Sequence, residues 1–246
     1  DLLIKEEIAK LKELEQIRRD LISRVSHELK TPLVSVCGAS ELLLDIYINE
    51  FKSESKELIE MIEKGGKRLK YLVDNLVDTT RIEYGKFKLK KEKTDINHLI
   101  KDCIKEMMYL IKQRELNLEH NLMDVLFLEI DKVRIEQVIS NLLSNAIKNT
   151  PPNGIISINS LKIDDKVKVI IKDTGIGLTK EEMNRIFIRF GKIERYGNGL
   201  EYIDIQGTGL GLFISKEIID LHEGQIWVES EGRDKGSTFI FKLPIN

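Results

Sequence analysis

From Leu2 to about Ile46 the apolar residues recur at threes and fours: Ile4, Ile8, Leu11, Leu14, Ile17, Leu21 and Val25. That period is helical, and opening turns laced with Lys, Glu and Arg predict a coiled-coil seam feeding a long helix. Advancing about 100° per residue, Leu21, Ile22, Val25, Leu29, Leu33, Val36 and Leu43 fall within a stripe of about 120°, with His27 and Thr31 on the far side. Pro32 removes one helix hydrogen bond, which predicts a bend just past His27. After a polar break at Asn49–Ser55, a second helical pattern carries Leu58, Ile62, Gly65, Leu69, Leu72 and Leu76. A hairpin of two such helices leaves half of its apolar surface wet, so a homodimer forming a four-helix bundle is expected. Gly65-Gly66 costs about 1 kcal/mol per residue against alanine. Close helix approach and local flexibility both remain open as reasons for the pair.

The period changes after Arg81-Ile82-Glu83-Tyr84-Gly85-Lys86. Phe87-Lys88-Leu89 alternates like a short strand, and Asp95 stands where it caps a helix carrying Leu99, Ile100, Cys103, Ile104 and Met107. Leu116–Leu122 and Val125–Ile130 read as strands, and Asp131 caps a helix running to about Asn149. Pro151-Pro152-Asn153-Gly154 is a turn, and Ile155–Ile163 with Lys166–Lys172 form a hairpin across Asp164-Asp165. A short helix at Lys180–Phe187, a loop to Gln206, a helix at Gly209–His222 and a hairpin of Gln225–Ser230 with Thr238–Leu243 complete the chain. Antiparallel hairpins with interspersed helices predict an α+β two-layer sandwich and not a doubly wound sheet. Three parts are expected: a signalling coiled coil over 1–20, an all-α helical hairpin over 21–85, and the sandwich over 86–246.

Composition narrows the setting. With 246 residues the chain has room for two cores of ordinary size. A formal net charge of −2 provides no basic field, so no nucleic-acid partner is expected. Cys37 and Cys103 belong to no CxxC pair and fall in helical apolar patterns, as small buried thiols in a reducing, cytoplasmic setting do. No apolar run approaches the ~18 residues that span a bilayer. The chain opens on Asp1 inside a helical pattern, which reads as a piece of a longer protein, one with room for a membrane anchor or an amino-terminal sensor domain.

Candidate chemistry sits at four places. In Ser26-His27-Glu28-Leu29-Lys30-Thr31-Pro32-Leu33 a histidine faces away from the apolar stripe with an acid beside it. On the helix that ends at Asn149, Asn141 and Asn145 share a face opposite Val138, Ile139, Leu142 and Leu143. Neutral amide oxygens there suit Mg²⁺ bound together with phosphate oxygens. Asp173-Thr174-Gly175-Ile176-Gly177-Leu178 follows an apolar strand, so that an acid can accept from an exocyclic amine while glycines admit a planar ring. Gly207-Thr208-Gly209-Leu210-Gly211-Leu212 opens a helix, where free N–H groups and the dipole favour an anion. No Gly-Lys-Ser/Thr follows, which excludes a Walker loop, and the opening lacks the Rossmann strand–turn–helix.

In this order, these motifs resemble the histidine protein kinases of two-component signalling over essentially the full chain. SHELKTPL is similar to their phospho-acceptor box, NLLSNAIKNT to the asparagine box of the Bergerat-type ATP fold, and DTGIGL and GTGLGL to its glycine boxes. Phe187 and Phe190 resemble the phenylalanine box, and Gly236-Ser237-Thr238 the closing Gly-x-Thr. The resemblance implies ATP and Mg²⁺ as cofactors, with Asn145 as metal ligand. It further implies that Asp173 holds the adenine amine, flanked by Gly175 and Gly177. Gly207, Thr208, Gly209, Leu210, Gly211 and Leu212 would cradle phosphates, with Lys148 and Thr238 beside them. Lys192 replaces a common arginine and keeps its charge without the bidentate fork. Asn149 stands where the family often has an aromatic. Asn141 occupies the position at which gyrase- and chaperone-type relatives place a glutamate base, and an amide cannot take a proton from water.

The function implied is autophosphorylation of His27 by ATP and transfer to an aspartate of a response regulator. Glu28 would orient the imidazole or accept its proton, and Thr31 would position water for the reverse, phosphatase reaction. Gly191–Gln206 has the makings of a lid over ATP. Two alternatives stand at this point: a serine-directed kinase of the same ATP fold, and a dimeric ATP-binding scaffold without transfer.

Overall fold

The structure, a computed structural model, describes residues 22, 25, 26, 28–46, 53–123, 125–189, 191 and 209–245. The chain forms two compact units, Asp1–Phe87 and Lys88–Asn246. The coiled coil expected over 1–20, and most of the Asn49–Ser55 break, lie outside the described residues.

In the first unit, α1 is helical over residues 28–46 and at residues 22, 25 and 26 as well. It remains helical through Pro32. Helix α2 spans Ser53–Glu83. Lys30 Nζ meets Asp74 Oδ1 at 2.6 Å and Lys67 Nζ meets Glu41 Oε1 at 3.4 Å, so the two helices run antiparallel. Both pairs are solvated and contribute at most about 1 kcal/mol each. The buried line on α1 is Ser26, Leu33, Cys37 and Ser40. Val25, Leu29, Val36 and Leu43 of the predicted stripe are instead 39–46% exposed. They lie about 40–80° round the helix from Leu33, on a flank that α2, a single partner helix, does not cover.

Gly66 explains itself where the sequence left two readings. A Cβ built on Gly66 would sit 2.7 Å from Cys37 Sγ, so the helices approach closely there, while Gly65 faces open space. Gly65→Ala therefore gains helix propensity of about 1 kcal/mol and raises the melting temperature of the full chain. Gly66→Ala lowers it, because overpacking costs typically about 1–3 kcal/mol. Cys37→Ala in the Gly66→Ala background recovers part of that loss. Equal shifts for the two alanines in thermal melts would sink the close-approach account.

The second unit is the α+β two-layer sandwich. Its strands are β1 (Glu92–Asp95), β2 (Asn117–Asn121), β3 (Phe127–Ile130), β4 (Ile155–Ile163), β5 (Lys166–Asp173), β6 (Gln225–Glu229) and β7 (Ser237–Pro244). The helices are α3 (Ile96–Gln113), α4 (Lys132–Asn149), α5 (Lys180–Arg185) and α6 (Gly211–Leu221). The main sheet runs β2-β4-β5-β7-β6, antiparallel except for the parallel β2–β4 pair, and β1 pairs separately with β3. Period-two alternation turns Ile156, Ile158, Val167, Val169, Ile171, Phe239 and Phe241 toward the helices. There they meet Val138, Leu142, Leu143, Ile214 and Ile218 in a core that is almost wholly dry.

Side-chain caps set the helix starts. Asp95 Oδ1 accepts from Asn97 N at 3.0 Å, Asp131 Oδ1 from Arg134 N at 3.2 Å, and Thr179 forms a capping box with Glu182. The strand expected at Phe87-Lys88-Leu89 is a correction. Residues 86–91 are not extended into a ladder, and the strand is the polar Glu92–Asp95, in register with Phe127–Ile130. Only Thr94 of that strand is buried, so its order comes from pairing with β3 and leaves no apolar alternation to read.

Candidate functional site: an ATP-binding face

The site grows from the carboxyl end of β5. Asp173 is 2% exposed, and its Oδ1 accepts from Gly175 N at 2.8 Å and from Ser237 N at 3.2 Å. A buried carboxylate satisfied by backbone donors is held in one orientation. The surrounding loops leave no room for side chains. A Cβ on Gly175 would lie 2.3 Å from Asn149 O, and one on Gly236 (φ 70°) would lie 1.9 Å from Asp173 O. Gly236 N donates to Gly175 O at 2.9 Å, so the glycine loop after β5 is stitched to the turn before β7. Gly177, at φ 63°, is packed against Gly232 O, and Ser230 Oγ accepts from Leu178 N at 2.9 Å.

Helix α4 presents the amides. Asn141 Nδ2 donates to Ser215 Oγ on α6 at 2.9 Å, and Asn149 Nδ2 donates to both Asn145 O (2.7 Å) and Asn145 Oδ1 (3.0 Å). Asn145, Lys148 and Asn149 are all half-buried. Asn149 O accepts from Ile176 N at 3.1 Å, which ties the end of α4 to the Asp173 loop. Helix α6 begins differently from α3, α4 and α5. Leu210 stands at its cap with no side-chain hydrogen bond, behind Gly209 at φ 69°, and Gly211 and Leu212 form its first turn. A helix start of this kind directs backbone N–H groups toward an anion instead of toward a capping side chain.

Asn141, Asn145, Lys148, Asn149, Asp173, Gly175, Gly177 and the Gly209–Leu212 run are thus tied together through α4, α6 and the loop after β5. Thr238 is not. In register with Lys172, it lies on the opposite sheet face from Asp173, because neighbouring strand residues point to opposite sides. Ser237, which sequence reasoning passed over, supplies the backbone N–H to Asp173, and Ser215 and Ser230 were passed over as well. The glycine before Ser237 was the signal that could have found it. Phe187 packs edge-on against Phe239, with centroids 6.4 Å apart. Glu28 and Thr31 are exposed on α1. His27, Phe190, Lys192, Gly207 and Thr208, and almost all of the expected lid, lie outside the described residues.

The donor set fits Mg²⁺ bound with phosphates. Among the described residues no three His, Cys, Asp or Glu side chains gather into a metal cage. One half-buried amide oxygen, Asn145 Oδ1, offers a neutral oxygen ligand of the kind Mg²⁺ accepts when phosphates complete its shell.

His222 is a structural group of this unit. It is 2% exposed, its Nδ1 donates to Ile218 O at 2.8 Å, and its Nε2 accepts from Asp131 N at 3.0 Å. Burial holds its pKa below the usual value of 6.5, with Lys91 adding to the depression and the Ile218 carbonyl and Asp131 opposing it. The unfolded chain therefore takes up a proton near pH 6.5 that the folded chain refuses. Stability is full above that pH and is lost as pH falls below it, by no more than about 1.4 kcal/mol per pH unit. Thermal melts between pH 7.5 and 5.5 should show this slope flattened in His222→Gln; an unchanged slope would refute the assignment. Cys103, by contrast, is simply inert, since burial pushes its thiol up to about 11.

Fold and site together define an ATP-binding domain that follows a helical hairpin in sequence. Residues 130–246 match the family described as histidine kinase-, DNA gyrase B-, and HSP90-like ATPase, and residues 17–85 match the His Kinase A (phospho-acceptor) domain. The circadian input-output histidine kinase CikA of Thermosynechococcus vestitus is 33% identical over 98% of this chain, which covers 33% of CikA. The sensor protein SrrB of Staphylococcus aureus is 35% identical over 94% of this chain, which covers 39% of SrrB. The catalytic domain of histidine kinase ThkA superposes with a TM-score of 0.55 at 32% identity, over 63% of this chain and 98% of ThkA's domain. The chain belongs to the histidine protein kinases of two-component signalling. It spans between a third and two fifths of the length of CikA and SrrB. No helix among the described residues is long and apolar enough to cross a membrane.

Proposed function

We propose that this chain transfers the γ-phosphoryl group of ATP to His27 and passes it on to an aspartate of a response-regulator receiver domain. The observation that carries the reading is one chain with a phospho-acceptor hairpin (residues 17–85) followed by an ATPase unit. In that unit a buried carboxylate, a glycine-lined loop and an uncapped helix start are tied together. Asp173 holds the adenine amine, and the Gly207–Leu212 run, with Lys148 and Lys192, holds the phosphates. Asn145 would hold Mg²⁺, whose charge offsets that of the phosphates.

In the transfer, a nitrogen of His27 forms the bond to phosphorus as the bond to the β-phosphate oxygen breaks, and ADP leaves. Glu28, exposed next to His27 in sequence, orients the imidazole and takes its proton. Thr31 positions water for dephosphorylating the regulator. Asn141 is an amide engaged with Ser215 and cannot act as a base toward water, which favours transfer over hydrolysis.

The hairpin works as a pair. Val25, Leu29, Val36 and Leu43 on α1, and Leu58, Met61, Ile62 and Leu69 on α2, are 39–65% exposed, a far larger apolar flank than an isolated soluble hairpin carries. A second copy covering it completes a four-helix bundle. Helix α2 closes with Gly85 N on Ile82 O and Lys86 N on Arg81 O, and Tyr84-Gly85-Lys86 is the hinge for the ATP-binding unit. Residues 1–20 relay an input signal into the hairpin. The test is incubation of the full chain with γ-labelled ATP. Label that is lost in acid and survives base supports the reading, and no label, or acid-stable label on a serine, refutes it.

A further inference from the structure

Asn149 ends α4 with its amide nitrogen within hydrogen-bond distance of two oxygens of one residue. Nδ2 lies 2.7 Å from Asn145 O and 3.0 Å from Asn145 Oδ1. Its own backbone is hydrogen-bonded as well. Asn149 O accepts from Ile176 N at 3.1 Å and is in contact with the Gly175 backbone, which donates to the carboxylate of Asp173. The next residue, Thr150, closes the helix by bonding Ala146 O through both its N–H (3.1 Å) and its Oγ1 (2.7 Å). The amide of Asn149 is therefore delivered to Asn145 from a fixed base.

We infer that Asn149 is a positioning residue for the metal ligand: its amide fixes which end of the Asn145 side chain is oxygen, and so couples the adenine-holding loop to the Mg²⁺ site. The inference rests on the proposed role of Asn145 and Asp173 and adds to it. A primary amide presents an oxygen at one end and two N–H donors at the other, and only the oxygen can ligate a cation. With Asn149 donating to Oδ1, turning the Asn145 amide over would oppose N–H to N–H, so the ligating form is the one selected. The oxygen carries two lone pairs, and one bond from Asn149 leaves capacity for a cation. Outer-shell donors of this kind orient metal ligands, and removing them typically costs about 10–100-fold in metal affinity. An asparagine at position 149 thus replaces a ring that could stack on the nucleotide with a donor that acts on its metal.

The experiment is calorimetric titration of the full chain with a β,γ-imido analogue of ATP, in EDTA and over a series of Mg²⁺ concentrations. Asn149→Leu, close in shape and without a donor, should raise the Mg²⁺ needed for half-maximal enhancement by at least about tenfold, a loss in Mg²⁺ that exceeds any loss of affinity in EDTA. Asn149→Ala is read the same way should the leucine variant melt early. Asn145→Ala should abolish the enhancement. Equal losses in Mg²⁺ and in EDTA would mean that Asn149 only caps the helix, and the inference fails. Unchanged Mg²⁺ dependence in Asn149→Leu, with the enhancement abolished in Asn145→Ala, also overturns it while leaving the Asn145 reading intact. Enhancement that survives Asn145→Ala overturns both.

Discussion

Replacing His27 by glutamine removes the acid-labile label that γ-labelled ATP leaves on the chain, down to background, and leaves nucleotide affinity unchanged. Of the four histidines, only His27 belongs to the phospho-acceptor box. His222 has both ring nitrogens engaged inside the second unit and is 2% exposed, so it offers no nucleophile. His98 sits in the first turn of α3 beside Asp102, and His120 lies on β2, each on the surface of the ATP-binding unit. Glutamine keeps polarity and approximate size but has no imidazole nitrogen to attack phosphorus, so the nucleotide site is untouched while the acceptor is gone. Label quantified after acid and base treatment, with nucleotide affinity measured on the same preparation, separates the two effects. Label retained in His27→Gln and mapped to His98 or His120 would overturn the assignment.

Asp173→Asn should lower ATP affinity by roughly a hundredfold, about 3 kcal/mol, because the proposed acceptor of the adenine amine loses its charge in a buried site. The substitution is mild for the fold. An asparagine Oδ1 still accepts from Gly175 N and Ser237 N, so the melting temperature falls by the equivalent of only about 1 kcal/mol. The new amide hydrogens would meet the amine donor to donor. A guanine base, which carries a carbonyl there, would meet them as an acceptor, so the variant should gain GTP affinity relative to ATP. Nucleotide titrations with both bases beside a thermal melt decide the matter. An unchanged ATP to GTP ratio would place the base elsewhere, and a collapsed melt would make the loss one of folding.

Much of this was readable residue by residue. Asp95 and Asp131 announced the starts of α3 and α4, because a short acid before an apolar period has one good use. The hairpin β4–β5 followed from two β-branched runs with Asp164-Asp165 between them, and the glycine boxes from their position after a strand and before a helix. What escaped had no local signature. Glu92–Asp95 is a polar tetrapeptide made a strand by its partner, and Ser237 matters through its backbone N–H, which every non-proline residue has. Thr238, named through the closing Gly-x-Thr, pairs with Lys172, so the register of β7 places it on the other face of the sheet from Asp173.

The first unit shows the same division. Threes and fours in the sequence predicted helices, and the described residues 28–46 and 53–83 are helical. Which flank of α1 is dry depends on where α2 lies, so Leu33 and Cys37 are buried while Leu29 and Val36 of the same stripe are not. Gly66 and Gly65 are chemically identical, and only the 2.7 Å approach of Cys37 separates a spacer from a substitutable site.

Local chemistry and periodicity were thus enough, by themselves, to determine the helical hairpin and the sandwich, and the order of the motifs pointed to the family. They act between neighbours in the chain, where spacing dictates geometry. Tertiary structure alone decided the parallel β2–β4 pairing, the Ser237 and Gly236 support of Asp173, and the bonds from Asn141 to Ser215 and Asn149 to Asn145. Each of these depends on the pairing register, on a backbone group common to all residues, or on a side-chain rotamer chosen by its surroundings. None of the three is written in the order of the amino acids as a pattern.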